Sequence, residues 1–183
     1  ALLSLYEATL DSGYLEQAVR FCKQAIHHFY DRENGGFYLY GEENEPLIHK
    51  PKETYDGALP SGNSVMCYNL VKLSRMTQDP VLDEIAAKQL GFMSSYAKDY
   101  PAGYSFFLLT LSMYLRPAED IVCVLSEKQD IEKLKGRFAL DAGIRILQDS
   151  TGEYPLLNGK TTFYICKNQA CKPPTNDITE AFQ

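Results

Sequence analysis

Residues 14–30 read Tyr-Leu-Glu-Gln-Ala-Val-Arg-Phe-Cys-Lys-Gln-Ala-Ile-His-His-Phe-Tyr. Leu15, Ala18, Val19, Cys22, Ala25, Ile26 and Phe29 recur at three- and four-residue steps, which marks an amphipathic helix. Glu16, Arg20, Lys23, Gln24 and His27 fall on the opposite side. Residues 1–10 read as the end of an earlier helix, and Asp11-Ser12-Gly13 as a turn. A further helix runs from about Gly57 or Gly62 to Met76. Its apolar residues, among them Val65, Cys67, Leu70 and Leu73, surround much of the cylinder and predict burial. Asp79-Pro80 starts another amphipathic helix, and Pro101 starts one that is apolar nearly all round. The order amphipathic, buried, amphipathic, buried is what two concentric rings of antiparallel helices require. Segments 57–76 and 101–115 would then be inner helices, and 14–30 and 80–98 outer ones.

The connection from Asp31 to about Asp56 is long, and long ordered connections are disproportionately functional. Within it, 37–40 and 47–49 read as two short strands around a Gly-Glu-Glu-Asn-Glu-Pro turn. After Arg116-Pro117 the character changes. Ile121-Val122-Cys123-Val124-Leu125 is a buried-strand run, 129–140 reads as a helix and 144–147 as a second strand. The three make a β-α-β unit whose strands are expected to be parallel neighbours in one sheet. Residues 161–166 form a third strand, and 177–182 a last helical turn. The fold class read from these patterns is mainly α: an arc of antiparallel helices over 1–116, then a small α+β tail over 117–183.

The chain has 183 residues, 45% hydrophobic and 23% charged, with a formal net charge of −6. This is globular composition, not disorder. The acidic balance argues against a nucleic-acid or anionic-membrane partner. The longest apolar run, 106–115, is broken by Thr110 and Ser112 and is too short to span a bilayer. With no initiator Met and a first residue already in a helical pattern, the chain reads as a piece of something longer. Its five cysteines are an odd number and mostly isolated, so buried thiols and a reducing, cytoplasmic setting are expected.

The stretch Tyr55-Asp56-Gly57-Ala58-Leu59-Pro60-Ser61-Gly62-Asn63-Ser64 resembles the C-terminal part of a family of thioredoxin-domain-containing proteins of the spermatogenesis-associated type. Three segments extend the match over essentially the whole chain: Glu33-Asn34-Gly35-Gly36-Phe37, Tyr100-Pro101-Ala102-Gly103-Tyr104, and Cys166-Lys167-Asn168 through Cys171-Lys172-Pro173-Pro174. The resemblance implies a thioredoxin-like domain preceding an (α/α)6 toroid similar to N-acylglucosamine 2-epimerases and six-hairpin glycosidases. It therefore implies a partial toroid here, a saccharide ligand, and an N-terminal thioredoxin-like domain of the parent chain as partner. No Cys-x-x-Cys motif is present in this sequence, so no redox role of that domain carries over.

The candidate catalytic residues are Glu53 and Asp56. Two carboxylates three positions apart, before a buried helix, can divide the roles of acid and base in sugar chemistry. Glu53 would be the acid and Asp56 the base or sugar-hydroxyl acceptor. The alternative is local: Asp56 or Ser61 caps the helix, Pro60 fits its first turn, and the glycines permit tight backbone geometry. His49, Tyr55, Ser61, Asn63 and Tyr104 are the candidate substrate-binding residues. Tyr55 and Tyr104 would stack on a sugar, or pack in the core as aromatics commonly do. No His or Cys spacing supplies a zinc set, and the Gly35-Gly36 pair lacks the context of a phosphate loop, so neither metal nor cofactor is expected. Cys166 and Cys171 read as a structural thiol pair. Two functions stand against each other: an epimerase- or glycosidase-like module of a larger protein, and a non-catalytic scaffold serving a thioredoxin-like domain.

Overall fold

The computed structural model describes residues 1–41, 50–116, 119–136, 143–167 and 170–180. The strand expected at 47–49 and the candidate His49 lie outside these residues. Two compact units are present: residues 19–116, and residues 1–18 together with 117–183.

The first unit is helical. Helix α1 spans Leu2–Thr9 and belongs to the other unit. Helix α2 spans Ser12–Phe29 and runs through the boundary. Helices α3 (Gly62–Thr77), α4 (Pro80–Ala97) and α5 (Ser105–Leu115) complete the first unit, with a 3₁₀ turn at Pro101–Tyr104 leading into α5. Local chemistry explains the starts. Ser61 accepts the Ser64 N–H and caps α3, and Asp79 accepts the Val81 N–H ahead of Pro80 in the first turn of α4. The core lies between α3 and α4. Cys67, Leu70, Val71, Leu73 and Met76 face Leu82, Ala86, Leu90 and Met93, all buried. On α2 the helical stripe buries Ala18, Cys22 and Ile26 and leaves Glu16, Arg20, Lys23 and His27 outside.

The second unit carries a mixed sheet of order β2-β1-β3-β4. Its strands are β1 (Glu119–Val124), β2 (Gly143–Leu147), β3 (Thr162–Lys167) and β4 (Ala170–Cys171). Strand β1 pairs parallel with β2, Ile121 opposite Ile144 and Cys123 opposite Ile146. It pairs antiparallel with β3, Ile121 opposite Ile165. The adjacency of the first two strands is as the β-α-β reading requires. Between them the described residues hold a 3₁₀ segment, Lys128–Lys133, rather than the expected α-helix. Both faces of β1 are covered: Ile121, Val122, Cys123 and Val124 are all buried. That is why this strand reads as a continuous apolar run rather than an alternating one. Val122, Val124 and Tyr154 form one cluster, with Leu147, Leu156 and Tyr164 packed on it. Helix α1 sends Tyr6, which is 1% exposed, to donate its hydroxyl to the Ile144 carbonyl at 3.2 Å.

The expected mainly-α fold, a partial (α/α)6 toroid, is therefore corrected to an α/β protein with a four-stranded mixed sheet. The inner and outer assignment of the helices fails as well. Helix α5 buries only Phe107 and Thr110, while Leu109 is 54% and Leu115 70% exposed. Helix α4, expected outside, buries seven residues. Apolar composition around a helix states what would profit from cover; it does not supply the neighbour. The expected strand at 37–40 is also absent. Phe37 makes a single bridge to Tyr30, because the two preceding glycines turn the chain back on the end of α2.

In urea denaturation, Leu70→Ala on α3 should cost about 2–5 kcal/mol, whereas Leu115→Ala on α5 should stay within about 0.5 kcal/mol. Equal losses would restore the reading of α5 as a covered helix.

Candidate functional site

The long connection and the starts of α3 and α5 form one polar network. Asp56 is at its centre, 7% exposed. Its Oδ1 accepts the Ser61 N–H at 2.8 Å. Its Oδ2 accepts the Phe106 and Phe107 N–H groups at 3.0 and 3.1 Å. Those two amides are among the unpaired donors of the first turn of α5, where Tyr104 offers no side-chain cap. One carboxylate therefore caps α5 from a distance and braces the cap of α3. The Asp56 N–H completes the join by donating to the Gly103 carbonyl at 2.8 Å.

Ser61 is equally committed. Its hydroxyl donates to the Thr54 carbonyl at 3.0 Å and accepts the Ser64 N–H at 3.1 Å. Asn63, 2% exposed, uses its side-chain amide on three backbone groups. Its Oδ1 accepts the Phe37 N–H at 2.7 Å, and its Nδ2 donates to the Phe37 and Glu53 carbonyls at 2.9 and 2.8 Å. Gln89 of α4 is fully buried. It donates from Nε2 to Asn63 and accepts the Gly36 N–H on Oε1 at 3.1 Å. Two buried amides thus hold the Gly35-Gly36-Phe37 backbone in place. Gly36 sits at φ 82°, and a Cβ there would lie 2.5 Å from the Phe92 ring, so both the turn and the close approach require glycine.

Asp31 anchors the other end of the same loop. Its Oδ1 accepts the Glu33 and Asn34 N–H groups at 2.9 and 3.0 Å. Its Oδ2 accepts from Tyr38 Oη and Lys52 Nζ, both at 2.7 Å. Lys52 also donates to the Gly35 carbonyl at 2.6 Å and lies over the Tyr38 and Phe92 rings. Burial pushes the Asp31 carboxyl up, but Lys52, Asn34 and Tyr38 together hold it well below the usual carboxylate range.

Above this framework lies an apolar cleft of about 230 Å³. Ala25 and Phe29 of α2, Phe37, Tyr38 and Leu39 of the connection, and Gly62, Asn63 and Met66 of α3 line it, with Glu53 beside them. The Glu53 side chain is exposed and forms no hydrogen bond or ion pair among the described residues.

The structure thus brings Glu53, Asp56, Ser61 and Asn63 into one neighbourhood but gives them different work. Asp56, Ser61 and Asn63 are spent on backbone groups; Glu53 alone faces outward. Tyr104 is buried and meets Tyr55 edge-on at 6.3 Å. Tyr55 is 52% exposed and, with Tyr100 at 58%, flanks Gly103, where a Cβ would come within 2.6 Å of the Tyr55 ring. The sequence reading omitted Asp31, Lys52 and Gln89. Gln89 had a signal: it is a polar residue on the apolar stripe of α4, at the step between Ala86 and Met93. Asp31 had one too, as a carboxylate opening a Glu-Asn-Gly-Gly turn. Lys52 had none. Among the described residues, no group of three His, Cys, Asp or Glu side chains is placed to hold a metal ion, and no helix is long and apolar enough to cross a membrane.

The chain is similar to spermatogenesis-associated protein 20. It is 28% identical to the human protein and 29% to the mouse protein, each over 98% of this chain. The chain spans about a quarter of the length of these curated relatives, 25% in both cases. No family model matches it. The expected kinship with the spermatogenesis-associated type thus has support over 98% of this chain.

Two measurements check this site. Asp56→Ala strands three backbone amides, two of them buried, and should destabilise by about 2–4 kcal/mol, while Glu53→Gln should stay within about 0.5 kcal/mol. Asp31 has a depressed folded-state value, so its stabilisation is fully present above the ordinary carboxylate range and is lost as pH falls below it. The urea midpoint of the Asp31→Asn variant should lie well below that of the parent at pH 7, and the gap should narrow below about pH 4. A gap independent of pH would remove the ionic role of Asp31.

Proposed function

We propose that this chain is a non-catalytic binding module of a larger protein, with the cleft beside Glu53 as its ligand site. The observation that carries the reading is the commitment of the Asp56 carboxylate to three backbone N–H groups. A general base must accept a proton from its substrate, and the lone pairs it would use are occupied by backbone groups that cap α5 and brace the cap of α3. Among the described residues that line the cleft, Glu53 is the only carboxylate or imidazole. An apolar floor with one carboxylate at its side suits a bulky apolar group carrying a hydrogen-bond donor or a cation. The apolar face of a sugar ring with its hydroxyls on Glu53 meets that description, as does an aromatic side chain next to a lysine. A thioredoxin-like domain elsewhere in the parent chain would be the partner such a module serves.

A second reading keeps the saccharide and moves it. The exposed rings of Tyr55 and Tyr100 stand on either side of Gly103, and tyrosine pairs of this kind stack on sugar faces.

Nuclear magnetic resonance titration of the chain with a panel of monosaccharides and short aromatic peptides separates these outcomes. Shifts at Phe37, Leu39, Glu53 and Met66, weakened by Met66→Arg, are expected for the cleft. Shifts confined to Tyr55, Gly103 and Tyr100 would favour the second reading. Conversion of any saccharide that Glu53→Gln abolishes would overturn the non-catalytic conclusion.

A further inference from the structure

Five cysteines divide into two chemical classes. Cys22, Cys67 and Cys123 are free and buried, at 6%, 0% and 0% exposure. Burial pushes their thiols up, to about 11, 12 and 12, which suppresses the thiolate that thiol chemistry needs. Cys166 and Cys171 are bonded to each other. The register explains the pairing: the two residues are direct cross-strand partners of β3 and β4. The two cysteines expected as a structural thiol pair are thus joined in a disulfide.

The position of this bond is unusual for a structural staple. It joins residues five apart in sequence, so it removes less freedom from the unfolded chain than a bond closing a long loop. It lies on β4, a two-residue strand at the edge of the sheet. Cys171 and the neighbouring Ala170, Lys172, Pro173 and Pro174 are all exposed, while Cys166 is half-buried. The segment after β4 has other attachments. The Lys172 N–H donates to the Ile165 carbonyl at 2.9 Å, and Phe163 and Thr175 exchange two backbone hydrogen bonds at 2.8 and 3.1 Å. Asn176 Nδ2 donates to the Thr161 carbonyl at 2.8 Å. None of these contacts uses the Cys166 or Cys171 side chain.

We propose that Cys166 and Cys171 form a reversible thiol–disulfide exchange site that opens without unfolding the sheet. The co-reactant is an external thiol, either a monothiol such as glutathione or a dithiol. Its thiolate attacks the exposed Cys171 sulfur, the bond between the cysteines breaks, and the Cys166 sulfur leaves as a thiolate and takes a proton. A second thiolate attacks the external sulfur of this mixed disulfide and releases Cys171, which takes a second proton. Two electrons and two protons pass to the chain, and the external thiols leave as a disulfide.

The test labels the native chain with a maleimide after equilibration in glutathione or dithiothreitol mixtures, with mass spectrometry to count and map the labels. Two labels, on Cys166 and Cys171 alone, with unchanged far-ultraviolet circular dichroism and full reclosure in oxidised glutathione, are expected. Both reductants should open the site. Opening by dithiothreitol but by no glutathione mixture would restrict the co-reactant to dithiols and overturn the monothiol arm. The Cys166→Ser variant should form a mixed disulfide with glutathione faster than Cys171→Ser, and the reverse order would overturn Cys171 as the attacked sulfur. The double Cys166→Ser, Cys171→Ser variant should fold with its sheet intact and take no label. Labelling only after urea, or loss of the sheet signal on reduction or in the double variant, would make the bond a structural staple and overturn the proposal.

Discussion

A single buried carboxylate joins the loop before α3 to the start of α5, fifty residues further along the chain. Asp56 reaches forward to the amide of Ser61 and across to the amides of Phe106 and Phe107. Both targets are helix starts, where unpaired N–H groups and the partial positive charge of the helix dipole favour an anion. Charge-assisted bonds to backbone amides offset the cost of burying the group. Among the described residues, the side-chain acceptor at the first turn of α5 comes from the loop before α3, which ties the two helix starts together.

The rest of the connection depends on the same logic applied to neutral groups. Asn63 and Gln89 extend from α3 and α4 to hold backbone that belongs to no helix or sheet. Buried backbone donors and acceptors must be paired, and a turn built on two glycines has few internal partners to offer. The amides supply them, and Asp31 with Lys52 closes the opposite end. The result is a hydrogen-bonded rim on which an apolar cleft and the exposed Glu53 carboxylate are presented. Polar residues that looked like chemistry are the framework, and the cleft beside them is mostly apolar.

This inversion has a physical origin. Ser, Asp and Asn next to a helix start are the residue types that cap helices, and they are also the types that handle sugars and protons. Spacing alone does not separate the two uses, because both need a short polar side chain near an amide. The capping alternative was readable at Ser61 and is what its hydroxyl does. The long-range half of the work of Asp56 was not readable, since Phe106 lies fifty residues away and nothing local marks it as a target.

The linear sequence was enough to locate α2, α3 and α4 within a few residues, to find the Asp79-Pro80 helix start, and to pair β1 with β2. Each of these rests on short-range physics: helical periodicity, capping chemistry, and the handed crossover that follows a buried strand. Tertiary structure alone decided that α5 is half bare, that β1 is central to a four-stranded sheet, that Gln89 and Lys52 belong to the site, and that Cys166 is bonded to Cys171. These depend on which surface meets which. An apolar face, a carboxylate or a thiol carries the same local signature whether or not a partner arrives, and the partner is set by the packing of segments distant along the chain.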